Sequence, residues 1–256
     1  MTDTPIYPDL RDVSVFVTGG GSGIGASLTD GFLAQGARVA FIGRSDATAF
    51  VDDMAAKHGR APLFLQGDIT DTARLRSAIQ EAAEAHGPIT TLVNNAANDK
   101  RHLTSEVDDA FWNWMIDINL KAYFFACQAV IPDMKKAGGG AIINFSSISY
   151  MMGNAGYPIY TAANSGINGL TRSLAREFGP DRIRVNALAP GWVLTQRQKA
   201  LWVTEEGLRA HLDRQCLKDA LEPGDIVGGV LFLASASSRM MTGQALVIDG
   251  GVVVTG

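Results

Sequence analysis

Cysteine and histidine are scarce in this chain. Its 256 residues hold two cysteines, Cys127 and Cys216, and four histidines, His58, His86, His102 and His211. None of these sits at the close spacing of a zinc site, so neither a metal nor a disulfide is expected. Charge is modest too: 19% of residues are charged, the net charge is −4, and no lysine and arginine run occurs. That pattern speaks against a nucleic-acid or anionic-membrane surface. Long apolar stretches are also missing, since nothing approaches the ~20 uninterrupted apolar residues that a membrane helix needs. The opening segment, "MTDTPIYPDLRD", has acids and prolines where a secretory leader needs a basic start and an apolar core. A cytoplasmic location is the resulting expectation. Linkers rich in proline, glycine or serine are absent, as are internal repeats. Residues 1–256 are therefore expected to form one domain, which at this length buries roughly three quarters of its extended surface.

What is present is a regular alternation. Short apolar or β-branched runs stand at "VSVFVTG" from Val13, "RVAFIG" from Arg38, "PLFLQGD" from Pro62, "TTLVNNA" from Thr90, "AIINFSS" from Ala141, "RIRVNALAP" from Arg182 and "ALVIDGG" from Ala245. Segments of helical period lie between them, near 23 to 35, 47 to 57, 71 to 86, 107 to 136, 158 to 178 and 224 to 235. Strand, helix, strand repeated in this way predicts an α/β fold, a doubly wound parallel sheet of about seven strands with helices on both faces. Residues 191–222 break the rhythm with about thirty residues, two tryptophans and no clear strand, and an insertion of that size reads as a lid over a site.

The first strand runs into "TGGGSGIG", which places Gly19, Gly23 and Gly25 at the turn into a helix. Glycines there let the backbone approach a pyrophosphate, and the helix N-terminus supplies unpaired N–H groups to hold it. On the first strand-to-helix turn the pattern predicts dinucleotide binding in a Rossmann-like domain. The second strand ends in Gly43 and Arg44 instead of an acid. Arginine suits a 2′-phosphate and so favours NADP(H) over NAD(H), unless Arg44 is simply a solvated side chain. Asp68, in "GDIT" after the third strand, falls either near an adenine or at the cap of the following helix.

"TGGGSGIG", "NNAA" at 94 to 97, Asn119 in "IDINL", the serines at 146 and 147, Tyr160 and "PGWVLT" from Pro190 resemble, in order and spacing, the short-chain dehydrogenase/reductase family over essentially the whole chain. Ala97 stands where that family commonly has glycine. The resemblance implies that Tyr160 is the acid/base, that Ser147, thirteen residues earlier, hydrogen-bonds the substrate oxygen, and that Asn119 anchors a water in a proton relay. It also implies a cofactor cradle of Gly19, Ser22, Gly23, Ile24, Gly25, Asp68, Ile69, Asn94, Asn95, Ala96, Pro190, Gly191 and Val193. Thr195 would meet the pyrophosphate or carboxamide end, and Tyr160 and residue 164 the nicotinamide side.

One position departs from the family pattern Tyr-x-x-x-Lys: Asn164 stands where the lysine belongs. In relatives that lysine binds the nicotinamide ribose and lowers the tyrosine pKa. Asn164 can donate hydrogen bonds but carries no charge, so the expectation is weak turnover at neutral pH with cofactor binding largely kept. Three explanations compete: a substitution made to silence the site, a natural non-catalytic protein, and a cation supplied from elsewhere. The intact Ser147, Tyr160 and Asn119 favour the first.

Outside these motifs, "NDKRH" at 98 to 102, "TQRQKALWVTEEG" from Thr195 and "QCLKDAL" from Gln215 are similar to the sugar-oxidising aldose 1-dehydrogenases of the same family. The resemblance implies a sugar substrate. Asn98, Asn154, Tyr157, Trp192, Arg197 and Gln198, beside Ser147 and Tyr160, would offer the hydrogen-bonding rim and aromatic face a sugar needs; Trp202 is expected to pack the lid. Should Arg101, His102, Arg197 and Lys199 converge on one mouth, an anionic sugar becomes the alternative substrate. In relatives the helices near 107 to 136 and 158 to 178 form the subunit interface, which implies a homotetramer.

Overall fold

Seven parallel strands form one sheet in the order β3-β2-β1-β4-β5-β6-β7 in the computed structural model, which describes residues 5–254. They are β1 (Ser14–Thr18), β2 (Arg38–Gly43), β3 (Leu63–Gln66), β4 (Thr91–Asn94), β5 (Gly140–Phe145), β6 (Ile183–Pro190) and β7 (Ala245–Ile248). Each lies within the run predicted for it or one residue from it. The single-domain expectation includes residues 1–4 and 255–256, which lie outside the described residues.

Every residue of β1 is buried, because helices cover both faces of the sheet. Alternate side chains accordingly enter two separate cores. Val15 and Val17 join Leu28 and Phe32 of α1 (Gly23–Ala34) and Val230 of α10 (Pro223–Ala234), whereas Phe16 joins Leu75 and Ile79 of α3 (Thr72–His86) and Val130 of α5 (Ala122–Lys136). The chain winds outward from β1 in both directions. The crevice between the carboxyl ends of β1 and β4, where the winding reverses, is the place such sheets bind ligands.

The helix predicted over 107–136 is two helices. α4 (Asp109–Ile116) and α5 are joined by a π-turn at Asp117–Lys121, whose extra residue per turn rotates Asn119 inward. The insertion at 191–222, read from the sequence as having no clear strand, contains two helices, α8 (Gln196–Leu201) and α9 (Glu205–Arg214). Thr195 and Thr204 cap them by accepting hydrogen bonds from Gln198 N (3.2 Å) and Gly207 N (3.0 Å). The remaining helices are α2 (Thr48–His58), α6 (Ser149–Met152) and α7 (Pro158–Phe178). No helix among the described residues is long and apolar enough to cross a membrane.

The cap of α3 is Asp71, which accepts from Ala73 N and Arg74 N, each at 3.0 Å. Asp68 instead holds the preceding turn, accepting from the backbone N and hydroxyl of Thr70 at 2.9 and 2.8 Å. Asp71→Ala removes a helix cap and is expected to cost about 1 kcal/mol of stability, measured as a lower denaturant midpoint at unchanged m-value.

Candidate active site

A cleft of about 860 Å³ opens along the carboxyl edge of the sheet. One end is the glycine turn. Gly19 (φ +71°) and Gly23 (φ +53°) use left-handed backbone that side chains avoid, and a Cβ on Gly25 would lie 1.9 Å from the Gly19 carbonyl oxygen. Ser22, the N-cap of α1, is exposed, and its side chain caps nothing. Its hydroxyl and the open first turn of α1 therefore face the cleft together, an arrangement that fits a diphosphate. Ile24 and Asn95 support the turn, and Asn95 Nδ2 donates to the Thr18 carbonyl (3.0 Å). Thr18 Oγ1 in turn accepts from the backbone N–H groups of Asn95 and Ala96 (2.9 and 3.0 Å). Pro190, Gly191, Val193 and Thr195 form the opposite wall, where the Thr195 methyl packs against Gly23.

Arg44 and Asp68 both line the far end and form a loose, largely solvated ion pair at 3.7 Å, with Ile69 buried beside them. Asn94 does not line the cleft. Its carboxamide is fully buried and donates to Asn144 Oδ1 (3.0 Å), because the last residue of β4 points into the core while Asn95 turns out of it.

Ser147, Asn119, Tyr160 and Asn164 all meet in the middle of the cleft. Burial pushes the Tyr160 phenol up to about 12, and the negative charge of Asp99 adds to the rise; the polar side chains of Ser147 and Asn164 beside it pull only partly the other way. No cation is among the groups of the described residues that shift this phenol. Asn164 is 2% exposed, and its Nδ2 donates to the carbonyl of Tyr160 one turn earlier (2.8 Å). Its own carbonyl accepts from Ser146 Oγ (3.1 Å) and Asn168 Nδ2 (2.8 Å).

Asn119 is clamped. Its Nδ2 donates to the carbonyls of Asn98 (3.0 Å) and Met115 (2.9 Å), and its Oδ1 accepts from Asn98 N (2.8 Å). Both amide hydrogens are thereby committed, so a water held here would have to donate to an oxygen. The same clamp corrects the reading of Asn98: its backbone serves Asn119, its Oδ1 accepts from Lys100 N (3.0 Å), and it is not on the cleft.

Residues of the 191–222 insertion border the other end through a chain of polar contacts. Trp192 Nε1 donates to Gln198 Oε1 (3.0 Å), Gln198 Nε2 donates to Asp99 Oδ2 (2.8 Å), and Arg197 lies 3.9 Å from Asp99 Oδ1. Asn154 Nδ2 reaches the Tyr157 hydroxyl at 3.4 Å, and the Tyr157 ring stands 5.7 Å from that of Tyr160. Trp202 lines the cleft instead of packing beneath the lid. Arg101 and Arg197 also line it, but His102 and Lys199 do not. His102 is used as a brace, its ring bridging Lys100 O (3.0 Å) and Ile159 N (3.4 Å). Asp99, within the "NDKRH" run, and His211 and Arg214 of α9 complete the wall; the sequence assigns none of them a role, because only folding brings the two segments together.

The arrangement is one in which a hydroxyl proton can be exchanged beside a bound nucleotide. A family model described as enoyl-(acyl carrier protein) reductase matches residues 19–253. A probable galactose dehydrogenase, GalD, from Rhizobium meliloti (strain 1021) is 50% identical over 96% of this chain and 97% of its own length. A D-xylose 1-dehydrogenase from Caulobacter vibrioides is 44% identical over 96% of this chain and 98% of its own. Among solved structures, a blue fluorescent protein from a metagenomic library, in complex with NADPH, is 35% identical and covers 96% of this chain and 100% of its own with a TM-score of 0.88. With the sheet order, the glycine turn and the serine and tyrosine pair at the carboxyl edge, these matches mean that the chain belongs to the short-chain dehydrogenase/reductase family of oxidoreductases.

Proposed function

We propose that the protein oxidises the anomeric carbon of a cyclic aldose to an aldonolactone, using a nicotinamide cofactor, at a rate held down by Asn164. The observation that carries this reading is the meeting of Ser147 and Tyr160 in one cleft with the glycine turn and a rim of Asn154, Tyr157, Trp192 and Gln198. Such a rim suits a ligand with hydroxyls around its edge and an apolar face. The identities with galactose and xylose dehydrogenases support the same substrate class.

The nicotinamide, when bound, would take hydride from C1. Tyr160 takes the proton of the C1 hydroxyl, and Ser147 donates a hydrogen bond to that oxygen as it becomes the lactone carbonyl. The glycine turn and Ser22 would hold the diphosphate, and Asp99, accepting from Gln198 Nε2, ties the 191–222 insertion to the cleft wall. Restoring lysine at 164 and assaying a panel of aldoses tests the reading: a gain in nucleotide reduction on some aldose supports it, and no gain on any sugar leaves a cofactor-binding protein without turnover.

NADP(H) is the favoured cofactor, with NAD(H) as the alternative, because Arg44 lines the adenosine end and its pairing with Asp68 is loose. Arg44→Leu is expected to weaken NADP⁺ binding about tenfold and to leave NAD⁺ binding unchanged, measured by calorimetry. Tighter binding of NAD⁺ by the unaltered protein would reverse the assignment. A cytoplasmic homotetramer fits the reading. Trp112 on α4 and Phe124 on α5 are large and exposed, as residues of a subunit interface are in a single protomer; light scattering gives the state.

A further inference from the structure

Resting on the aldose reading, we propose that the sugar carries a negatively charged group at the end remote from C1, and that Arg101 receives it. Arg101 lines the cleft, and among the described residues it forms neither an ion pair nor a hydrogen bond with the protein. Its position is nonetheless set. The guanidinium carbon lies 3.8 Å from the centroid of the Tyr157 ring and 5.6 Å from that of Trp202, so it is held by two aromatic faces with its N–H donors left open. Tyr157 is also the neighbour of Tyr160. The Tyr157 ring therefore stands against both the guanidinium and the Tyr160 ring, which puts Arg101 on the same side of the cleft as the group proposed to take the C1 proton.

The charge balance of this end of the cleft points the same way. Arg101, Arg197 and Arg214 line it with Asp99, and Asp99 is already engaged by Gln198 and Arg197. All three arginines are exposed, so they give this mouth a net positive potential that attracts an anionic ligand without requiring one. His211, 6% exposed, backs this wall with its ring packed edge-on to Trp192 at 5.3 Å, and burial and the neighbouring Arg214 charge lower its pKa. The site thus offers a guanidinium fork for a compact oxyanion beside aromatic faces for the sugar ring.

The test compares sugars that differ only at C6. The protein saturated with reduced nicotinamide nucleotide, so that no turnover occurs, is titrated calorimetrically with D-galacturonate and with D-galactose at fixed ionic strength. D-Galactose 6-phosphate serves as a third titrant, to separate a carboxylate site from a phosphate site. An acidic sugar is expected to bind about tenfold or more tightly than galactose, with the advantage shrinking as salt is raised. In Arg101→Leu the ratio should fall to about one, and Arg101→Lys, which keeps the charge but loses the fork and the stacking, should fall between. Equal affinity for the acidic and neutral sugars, or an acid preference that survives Arg101→Leu, overturns the proposal while leaving the aldose reading standing. If the nucleotide binds and no sugar does, the aldose reading itself falls and this inference with it.

Discussion

Asn164→Lys is expected to raise turnover at pH 7 by about 100-fold. A unit charge about 5 Å from the phenolate, at an effective dielectric of about 20, is worth roughly 3 kcal/mol, or about two pKa units. Oxidation needs Tyr160 as phenolate, and with the phenol pushed up to about 12 its ionised fraction at pH 7 is on the order of 10⁻⁵. Below the pKa, lowering it by about two units multiplies that fraction about a hundredfold at every pH. The sign of the pH dependence follows. A raised phenol pKa means the active form is gained as pH rises, so the unaltered protein should gain about tenfold in rate per pH unit from 7 to 10 without levelling. The lysine variant should follow a parallel line displaced upward and level earlier. Asn164→Gln changes the side chain without adding charge and should give no comparable gain, which separates electrostatics from shape.

The second large effect is steric. Gly25→Ala places a methyl group where the Gly19 carbonyl oxygen lies, 1.9 Å away, and 2.8 Å from Asn95 Nδ2. Neither the turn nor α1 can yield without moving the N–H groups that form the diphosphate cradle. Nucleotide affinity is therefore expected to fall about 100-fold or more, with a lower melting temperature, read by calorimetry and thermal unfolding. Gly224→Ala, at a helical glycine with nothing within 4 Å, is the matched control and should change neither. Unchanged affinity in Gly25→Ala would mean that the nucleotide does not lie on this turn.

These effects were legible in the chain to different degrees. The strands could be read because a sheet covered on both faces leaves nearly continuous apolar runs, as in "VSVFVTG". The π-turn at Asp117–Lys121 could not, since one added residue barely alters a hydrophobic period, yet it turns Asn119 inward. Asn94 and Asn95 show the limit at the scale of one residue. They are adjacent and chemically identical, but the end of a strand sends one into the core and the other to the glycine turn. The two helices of the 191–222 insertion escaped because both are short and almost unburied: α8 buries none of its residues and α9 only His211. Asp99 and Arg101 come from one segment and His211 and Arg214 from another, α9, and their joint place exists only once the fold brings the two to one cleft. Tyr160 and Asn164, four apart on α7, were the most informative pair, because helical spacing alone relates them.

The central claim is that the Tyr160 phenol lacks the charge that would ionise it near neutral pH. Its titration tests this directly, by ¹³C NMR of protein labelled at tyrosine Cζ, with Tyr160→Phe assigning the resonance. The account predicts that the Tyr160 signal stays at its phenol position from pH 7 to pH 10 and moves to lower pH in Asn164→Lys. Conversion to phenolate with a midpoint at or below about pH 8 in the unaltered protein would contradict it.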